Sequence, residues 1–396
     1  MEVDALIVGA GPAGATAARL LARAGWSVAL VEKAEFPRRK VCGDFISATT
    51  LPILDACGIG NEFRMLSGPP VRCIGLYAEK TMLTSPVGAR IWGWALGREH
   101  LDLLLRDAAL QAGAQLHQTA ELLATRKDGE GHECILRGEN GEYQIAAGIV
   151  IAANGSWNSK GPLVLPAYES GPSDLFAFKA LFDGGALPDN LMPLLAFPGG
   201  YGGMVHTDGG RISLSCCIRR DALVKARGLH RGKAAEAVLA YIRANTLGVD
   251  LALKNAEPDG AFLSFGPIRP GIRPRYARGV FAVGNIAGEA HPIIAEGISM
   301  AIQSSWLLSQ RLIAAGPAMS ALQQSQVGAE YARAWRAQFS LRIHAAALFA
   351  NIAITDELRT LCRRAIARFP QLLTWGADIS GKAKVALPDQ RGQVLG

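Results

Sequence analysis

Residues 3–33 of the chain read VDALIVGAGPAGATAARLLARAGWSVALVEK. The apolar run at 5–8 predicts a buried strand, and the glycines after it predict a tight turn. An alanine-rich helix is expected at 13–24, followed by a strand at 27–31 that ends in the carboxylate of Glu32. Strand, turn, helix, strand and acid in this order and spacing are typical of a dinucleotide-binding site.

Each glycine of this motif, and the acid after it, has a physical role. Gly9 allows a sharp turn off the strand, Gly11 removes a side chain where a pyrophosphate approaches, and Gly14 lets the helix pack close to the sheet. The helix start offers free N–H groups and a positive dipole end to phosphates. Glu32 can accept hydrogen bonds from ribose hydroxyls, and its charge disfavours a 2′-phosphate. A purely structural glycine turn is the alternative.

Composition indicates a globular protein with a large core. The chain has 396 residues, of which 49% are hydrophobic and 19% are charged, which favours two intimately packed domains. The formal net charge is +7, but the basic residues are scattered and no basic tract is interleaved with aromatic residues. Nucleic-acid binding is therefore not expected, and the charge favours an anionic cofactor, an acidic substrate or a membrane surface.

The cysteines and the N-terminal sequence indicate the cellular compartment. Seven cysteines form no CxxC pair and no metal-ligand spacing, and an odd count fits poorly with a disulfide framework. A reducing cytoplasm is expected, with contact to the inner face of a membrane as an open alternative. Because the motif begins at residue 9, no domain is expected before it, and the apolar N-terminus is interpreted as a strand, not a signal peptide. No run of about eighteen uncharged apolar residues is found.

The rest of the chain predicts two interleaved domains. Strands at 71–96 and in 165–265 favour a second sheet, and a strong amphipathic helix is expected at 97–113. The Glu139-Asn140-Gly141 turn predicts a hairpin whose second strand, ending at 149–155, returns to the first sheet. We expect a nucleotide domain at 1–70, 97–164 and 266–316, a substrate domain at 71–96 and 165–265, and a helical region at 317–396.

Three segments share one pattern of buried strand and glycine loop. They are LIVGAGPAG, IVIAANGSWN and VFAVGNIAGEAHPIIAEGI, and an R-x-x-L-D-x-L-L helix begins at Arg98. Together they resemble the FAD-dependent oxidoreductases of the p-hydroxybenzoate hydroxylase superfamily, over roughly residues 3–315. The resemblance implies an α/β fold: a Rossmann-like FAD-binding domain, an interleaved α+β substrate domain and a helical C-terminus. The superfamily's two loop aspartates are replaced here by Asn154 and Asn285, which lose the charge-assisted part of a hydrogen bond.

The segment Lys40-Val41-Cys42-Gly43-Asp44 resembles the K-P-C-G-G/D motif of geranylgeranyl reductases, with Val41 in place of proline. This resemblance implies a loop against the flavin isoalloxazine; a small buried hydrophobic residue is the alternative for Cys42. It also implies that Arg98 contacts the flavin nucleotide and that Leu122 lies beside the adenine. A surface arginine is the alternative for Arg98.

In the third segment, Pro292 and Gly297 match the superfamily's P-x-x-x-x-G, which brings a helix start at Gly297 and Ile298 to the flavin pyrimidine edge. Backbone N–H groups there would stabilise the negative charge of the reduced flavin. The expected cofactor-binding residues are Gly9, Gly11, Ala13, Gly14, Glu32, Lys40, Cys42, Gly43, Arg98, Leu122, Asn154, Gly155, Asn285, Pro292, Gly297 and Ile298.

Three residues are candidates for catalysis: His291, Tyr201 and Cys42. A hydride added to one carbon of a double bond leaves carbanion-like charge on the other, and His291 or Tyr201 could supply the proton. The reductases' Y-x-W-x-F-P segment is matched only by Tyr201, so substrate identity does not transfer. Trp92-Gly93-Trp94 departs from the W-x-W-x-I-P of flavin halogenases and is interpreted as a cavity-lining strand. Cys216 and Cys217 are interpreted as structural.

Three functions remain open from the sequence. The favoured one is an FAD-dependent reductase or dehydrogenase that acts on a C–C bond of a hydrophobic isoprenoid-, acyl- or polyketide-like substrate, with NADPH or NADH as transient reductant. The second is an FAD- and NAD(P)H-dependent monooxygenase that hydroxylates an aromatic or polyketide-like substrate. The third is a flavin- or lipid-binding protein without turnover. No metal is expected.

Overall fold

A computed structural model describes residues 1–85, 90–156, 169–230 and 232–382. The helices in these ranges are α1 Pro12–Arg23, α2 Leu51–Ala56, α3 Gly60–Leu66, α4 Arg98–Gln111, α5 Arg220–Leu229, α6 Ala234–Asn245, α7 Leu247–Ala252, α8 Gly297–Ala315, α9 Ala321–Ile354, α10 Asp356–Arg368 and α11 Gln371–Ala377. The strands are β1 Glu2–Val8, β2 Val28–Glu32, β3 Phe45–Ser47, β4 Cys73–Ala78, β5 Thr81–Thr84, β6 Gly93–Ala95, β7 Gln115–Gln118, β8 Glu121–Asp128, β9 Gly131–Gly138, β10 Gly141–Ala152, β11 Leu175–Asp183, β12 Leu191–Phe197, β13 Gly200–His206, β14 Ile212–Arg219, β15 Glu257–Pro258, β16 Leu263–Ile268, β17 Gly271–Ile272, β18 Tyr276–Ala277, β19 Val280–Ala282 and β20 Gly288–Glu289.

The first sheet has the strand order β18-β19-β10-β1-β2-β7, and β8 and β9 extend it from β10. β1 pairs in parallel with both β2 and β10, and β10 pairs in parallel with β19. Every residue of β2 is buried, as expected for a parallel strand covered on both faces. The hairpin turn at 139–141 is confirmed, since Gly138 lies opposite Gly141, and the far end of β10 returns to β1.

The second sheet has the order β15-β11-β14-β13-β12-β4-β5, with β16 beside β11. Most of its pairs are antiparallel, and β12 with β4 is parallel. Helices α5, α6 and α7 contribute residues to the core on one of its faces, whereas α9, α10 and α11 contribute to a core that includes β4, β12 and β13. The expected α/β class, with a mixed second sheet and a helical C-terminus, is confirmed.

Two local expectations are wrong. In this strand-rich region the segment GKAAEAVLAYIRANT predicts a single helix, which is α6, whereas α5 and α7 flank it. Helix α5 carries exposed Val224 and Leu229, which obscure its amphipathic pattern. The strand at 93–95 does not join the second sheet: β6 pairs with β3, and its Gly93 also forms an isolated bridge with Val71. The expected domain boundary between residues 164 and 165 lies outside the described ranges, and so do residues 383–396 of the expected helical region.

Helix α9 is long and apolar enough, by length and composition alone, to cross a bilayer, although no such run was expected. Of its most apolar window, 39% is buried. Tyr331, Trp335 and Phe339 on this helix are buried in the core of the first sheet. These contacts are those of a core helix, which passes the same test.

Candidate flavin and substrate site

The first turn needs its glycines for steric reasons. Gly9 has φ +103°, and a Cβ there would lie 2.7 Å from the carbonyl oxygen of Ala153. A Cβ on Gly14 would lie 1.8 Å from the carbonyl oxygen of Gly9, so a side chain would separate α1 from the end of β1. Ala13, one residue earlier, is buried and accepts a hydrogen bond from Ser305 of α8 at 2.7 Å.

The start of α1 forms a cradle for an anion. Gly11 precedes the helix and Pro12 begins it, so the N–H groups of its first turn are available to a ligand. Among the described residues, a Cβ on Gly11 would meet only guanidinium nitrogens, of Arg98 at 3.6 Å and Arg38 at 4.0 Å. Two hydrogen bonds to Asp102, at 2.6 and 2.8 Å, hold Arg98. Open space between two arginines and a helix N-terminus fits the pyrophosphate of FAD.

Glu32 lies at the end of β2, and its carboxylate already has protein partners. It accepts hydrogen bonds from the N–H groups of Ala10 at 2.9 Å and Ala34 at 3.0 Å, and it forms an ion pair with Arg38. Burial opposes ionisation, but Arg38 and the two N–H groups together outweigh it and keep the pKa of Glu32 below its ordinary value. A ribose at this position would share Glu32 with Arg38. Sequence analysis missed Arg38 because its loop has no periodic pattern.

The second glycine loop packs against the first. Asn154 and Gly155 follow β10, and the Cα of Asn154 lies 3.0 Å from the point that a Cβ on Gly9 would occupy. Gly155 has φ +82°, a conformation that favours glycine. Leu122, at the start of β8, is buried in the core of the first sheet.

Asn285 belongs to a polar network that the sequence did not reveal. Its side-chain nitrogen donates to Ser156 at 2.9 Å and to the buried carboxylate of Glu289 at 3.2 Å. Glu289 also accepts from Ser156 at 2.9 Å and from Arg273 at 3.3 Å. Burial raises the pKa of Glu289, and Arg273 opposes that rise. With its nitrogen committed on this side, the Asn285 amide has its oxygen left to accept a flavin hydroxyl.

Helix α8 begins at Gly297, as predicted, and both Gly297 and Ile298 line a large cavity. The turn before it starts at Pro292 and ends at Ala295, whose φ of +51° is uncommon for a residue with a side chain. The carboxylate of Glu296 is buried at this helix start and accepts a hydrogen bond from Ser47 at 3.2 Å. A helix N-terminus at this point fits the expected contact with the flavin pyrimidine.

The cavity has a volume of about 530 Å³ and a mostly apolar wall, in the range of small-molecule sites. Its wall continues across β4, β12, β13 and β14 of the second sheet and reaches α9, α10 and α11. It therefore joins the flavin loops to the C-terminal helices. The expected flavin-site residues on its wall are Cys42, Gly43, Asn285, Pro292, Gly297 and Ile298.

The loop of Cys42 is fixed to the second sheet from behind. Asp44, in the next turn position with φ +59°, accepts hydrogen bonds from Lys179 at 2.7 Å and Ser213 at 2.8 Å. Burial raises the pKa of Asp44, and Lys179 opposes that rise. Burial also raises the pKa of the Cys42 thiol, so the thiol is protonated near pH 7. Lys40 is exposed.

The two candidate acids lie together. Tyr201 is buried and lines the cavity, and its hydroxyl lies 3.4 Å from Nδ1 of His291. His291 itself is not on the cavity wall. Burial raises the pKa of Tyr201 well above its ordinary value and lowers that of His291. Tyr201, on the cavity wall, is therefore protonated near pH 7, and its hydroxyl lies beside a neutral imidazole.

The structure changes the interpretation of two pairs of residues with respect to the cavity wall. Trp92 and Trp94 do not line the cavity; their strand is held against β3, where a Cβ on Gly93 would lie 2.1 Å from the carbonyl oxygen of Ile46. Cys216 and Cys217 are buried and unbridged but contribute to the wall. Among the described wall residues there is no lysine of the kind that halogenases use.

A family model described as an FAD binding domain matches residues 2–170. This match and the pyrophosphate cradle identify an FAD-dependent oxidoreductase whose cofactor is FAD, and they agree with the resemblance to the p-hydroxybenzoate hydroxylase superfamily. The chain is 35% identical over 161 residues to digeranylgeranylglycerophospholipid reductase 1 of Methanopyrus kandleri, over 39% of this chain and 40% of that protein. It is 26% identical to digeranylgeranylglycerophospholipid reductase 2 of Methanothermobacter thermautotrophicus, over 98% of this chain and 95% of that protein.

Solved structures support the fold. A flavin-dependent brominase superposes with a TM-score of 0.75 at 18% identity, over 97% of this chain and 94% of that one. A geranylgeranyl bacteriochlorophyll reductase-like protein from Thermoplasma acidophilum superposes with a TM-score of 0.69 at 20% identity, over 96% of this chain and 99% of that one. At these identities the likeness concerns the fold and not the reaction.

Proposed function

We propose that this FAD-dependent oxidoreductase reduces or dehydrogenates a C–C bond of a hydrophobic substrate with an isoprenoid-, acyl- or polyketide-like chain. The observation that carries the proposal is the apolar cavity of about 530 Å³, which extends from the flavin loops to the C-terminal helices. Two relatives named as reductases of digeranylgeranylglycerophospholipid support it.

FAD would supply hydride chemistry at its N5 atom. The cradle of Gly11, Arg98 and Arg38 would hold its pyrophosphate, and the start of α8 would lie at its pyrimidine edge. Tyr201 lines the cavity and is protonated, so it is the group proposed to deliver a proton to the second carbon of the reduced bond. His291, 3.4 Å away, can then relay a proton from solvent to the tyrosinate, taking one up at Nε2 as Nδ1 gives one up. NADPH or NADH is proposed as a transient reductant.

The test is product analysis with reduced enzyme in the presence and absence of oxygen. The reductase proposal predicts a product that gains two hydrogens in both conditions. An oxygen atom from O₂ in the product would instead support the monooxygenase alternative. Failure of NADPH and NADH to bleach the bound flavin in stopped-flow mixing would favour a passive flavin or lipid binder.

We also propose a cytoplasmic protein that contacts an anionic membrane surface through the cavity mouth. Leu372, Trp375 and Ile379 line the cavity and are also 38%, 69% and 46% exposed, so they form its rim. They follow one another at helical spacing together with exposed Phe369. An apolar rim on a protein of net charge +7 suits a bilayer with anionic lipids.

A further inference from the structure

Two arginines stand out on the apolar cavity wall. Arg359 and Arg363 are one turn apart on α10, and both line the cavity. Arg359 is 7% exposed, and the side chain of Arg363 is 25% exposed. Charged side chains are seldom buried unless they have a partner or a task.

The protein partners of the two arginines do not use all of their N–H donors. Arg359 uses Nη1 for its contacts with Asp356 at 2.8 Å and with the carbonyl oxygen of Phe197 at 3.5 Å. Arg363 contacts Thr81 at 3.0 Å and Glu79 at 3.5 Å. The Nε of each arginine is buried without a hydrogen-bond partner among the described residues. The two acids are 68% and 47% exposed, so water screens their charge.

The arginines and the flavin loops lie at different places on the second sheet. Gly43 of the flavin loop approaches Ser215 of β14, whereas Arg363 contacts β5 at the β4–β5 hairpin. β14 and β4 are three strand spacings apart in the sheet, which is roughly 14 Å. The carboxylates on the wall, Asp44 and Glu289, belong to the flavin side and have their own cationic partners. The cavity is therefore polarised, with spare cationic donors only at α10 among the described wall residues.

We propose that Arg359 and Arg363 bind the anionic head, a carboxylate or phosphate, of an amphiphilic substrate whose apolar chain reaches the flavin. Guanidinium groups suit these anions because their forked N–H groups match two oxygens at once. This site rests on the proposed function, since it assigns the polar end of the hydrophobic substrate. The rim residues beside it would admit the chain, and the arginines would fix how far it enters.

The test compares three probes of one chain length, below their micelle concentrations, on the FAD-loaded protein: dodecyl phosphate, dodecanoate and dodecanol. Binding is followed by flavin fluorescence or calorimetry. Wild type is expected to prefer the anions by roughly tenfold to hundredfold, the range for charge-assisted hydrogen bonds. Arg363→Gln and Arg359→Lys should each reduce that preference, with dodecanol affinity unchanged. Arg364→Gln is the matched control, because Arg364 is exposed and does not line the cavity.

Each other outcome counts against the proposal in a distinct way. Equal affinity of wild type for dodecanol and the anions would overturn the head-group site and leave the apolar cavity intact. No binding of any probe would instead contradict the proposed function. Competition by inorganic phosphate at the concentration of dodecyl phosphate would assign the arginines to free phosphate. If Arg359→Lys fails to fold, the Arg363→Gln variant alone still tests the head-group site, because the side chain of Arg363 is less buried than that of Arg359.

Discussion

Glu289 should determine how well this chain holds FAD without the aspartate that the superfamily it resembles places at residue 285. The carboxylate of Glu289 faces the donor side of the Asn285 amide at 3.2 Å, which turns the amide oxygen towards the flavin. In Glu289→Gln, one side-chain atom becomes a donor. That NH₂ group must face either Arg273 or the Asn285–Ser156 pair, which are themselves donors. This repulsion between N–H donors is relieved when the Asn285 amide flips and directs its NH₂ group at the flavin hydroxyl.

The expected loss is one hydrogen bond to the cofactor, about 0.5–1.5 kcal/mol, or a roughly twofold to tenfold rise in the Kd for FAD. Titration of apoprotein with FAD, followed by quenching of flavin fluorescence, measures it without any turnover. Glu330→Gln, at an exposed position of α9, is the control and should leave the Kd unchanged.

A second substitution makes the reasoning refutable. Asn285→Asp alone would place two carboxylates about as close as the 3.2 Å that now separates amide and acid, so both cannot ionise and FAD affinity should not improve. Combined with Glu289→Gln, the same aspartate gains a neutral neighbour and should restore or exceed wild-type affinity. Additive effects of the two substitutions, or tighter binding in Asn285→Asp alone, would refute the orientation of Asn285 by Glu289.

Three further outcomes follow from the same contacts. Tyr201→Phe keeps the buried ring but loses the proton, so kcat should fall by roughly 100-fold or more with KM little changed; unchanged steady-state kcat would remove Tyr201 from the reaction. Because the pKa of Glu32 is lowered in the folded protein from 4.5, its ionised form stabilises the fold above that value. Glu32→Gln should therefore lower urea-unfolding stability at pH 7, with the difference from wild type shrinking as the pH falls below 4.5; a pH-independent difference would contradict the ion pair with Arg38. Trp375→Ser should reduce flotation with anionic liposomes, whereas Val224→Ser, at a residue 67% exposed on α5, should not; equal flotation of both would place the membrane contact elsewhere.

The first sheet and its glycine turns could be predicted because their signals are local. Gly14 is required by its contact with Gly9 within one strand–turn–helix unit, and Gly9 adopts a positive φ at the turn itself. The helix start at Gly297 lies only five residues after Pro292. The same reasoning misplaced Trp92 and Trp94. Whether a short strand joins a neighbouring sheet depends on its partner, and β6 is held by β3 through a close approach at Gly93, which its own residues do not encode.

The cavity could not be predicted because its polar groups come from segments far apart in the chain. Tyr201 was a candidate by residue type, but only the packing of the β12–β13 hairpin against the loop at His291 places Tyr201 on the wall with its hydroxyl beside the imidazole. Glu289 lies four residues after Asn285, in a two-residue strand with no periodic signal. Only the folded structure shows that it contacts the Asn285 amide, which replaces the aspartate. Arg359 and Arg363 look like ordinary surface arginines of an amphipathic helix. They become candidates for binding a substrate only because α10 turns that face towards the same cavity as Tyr201.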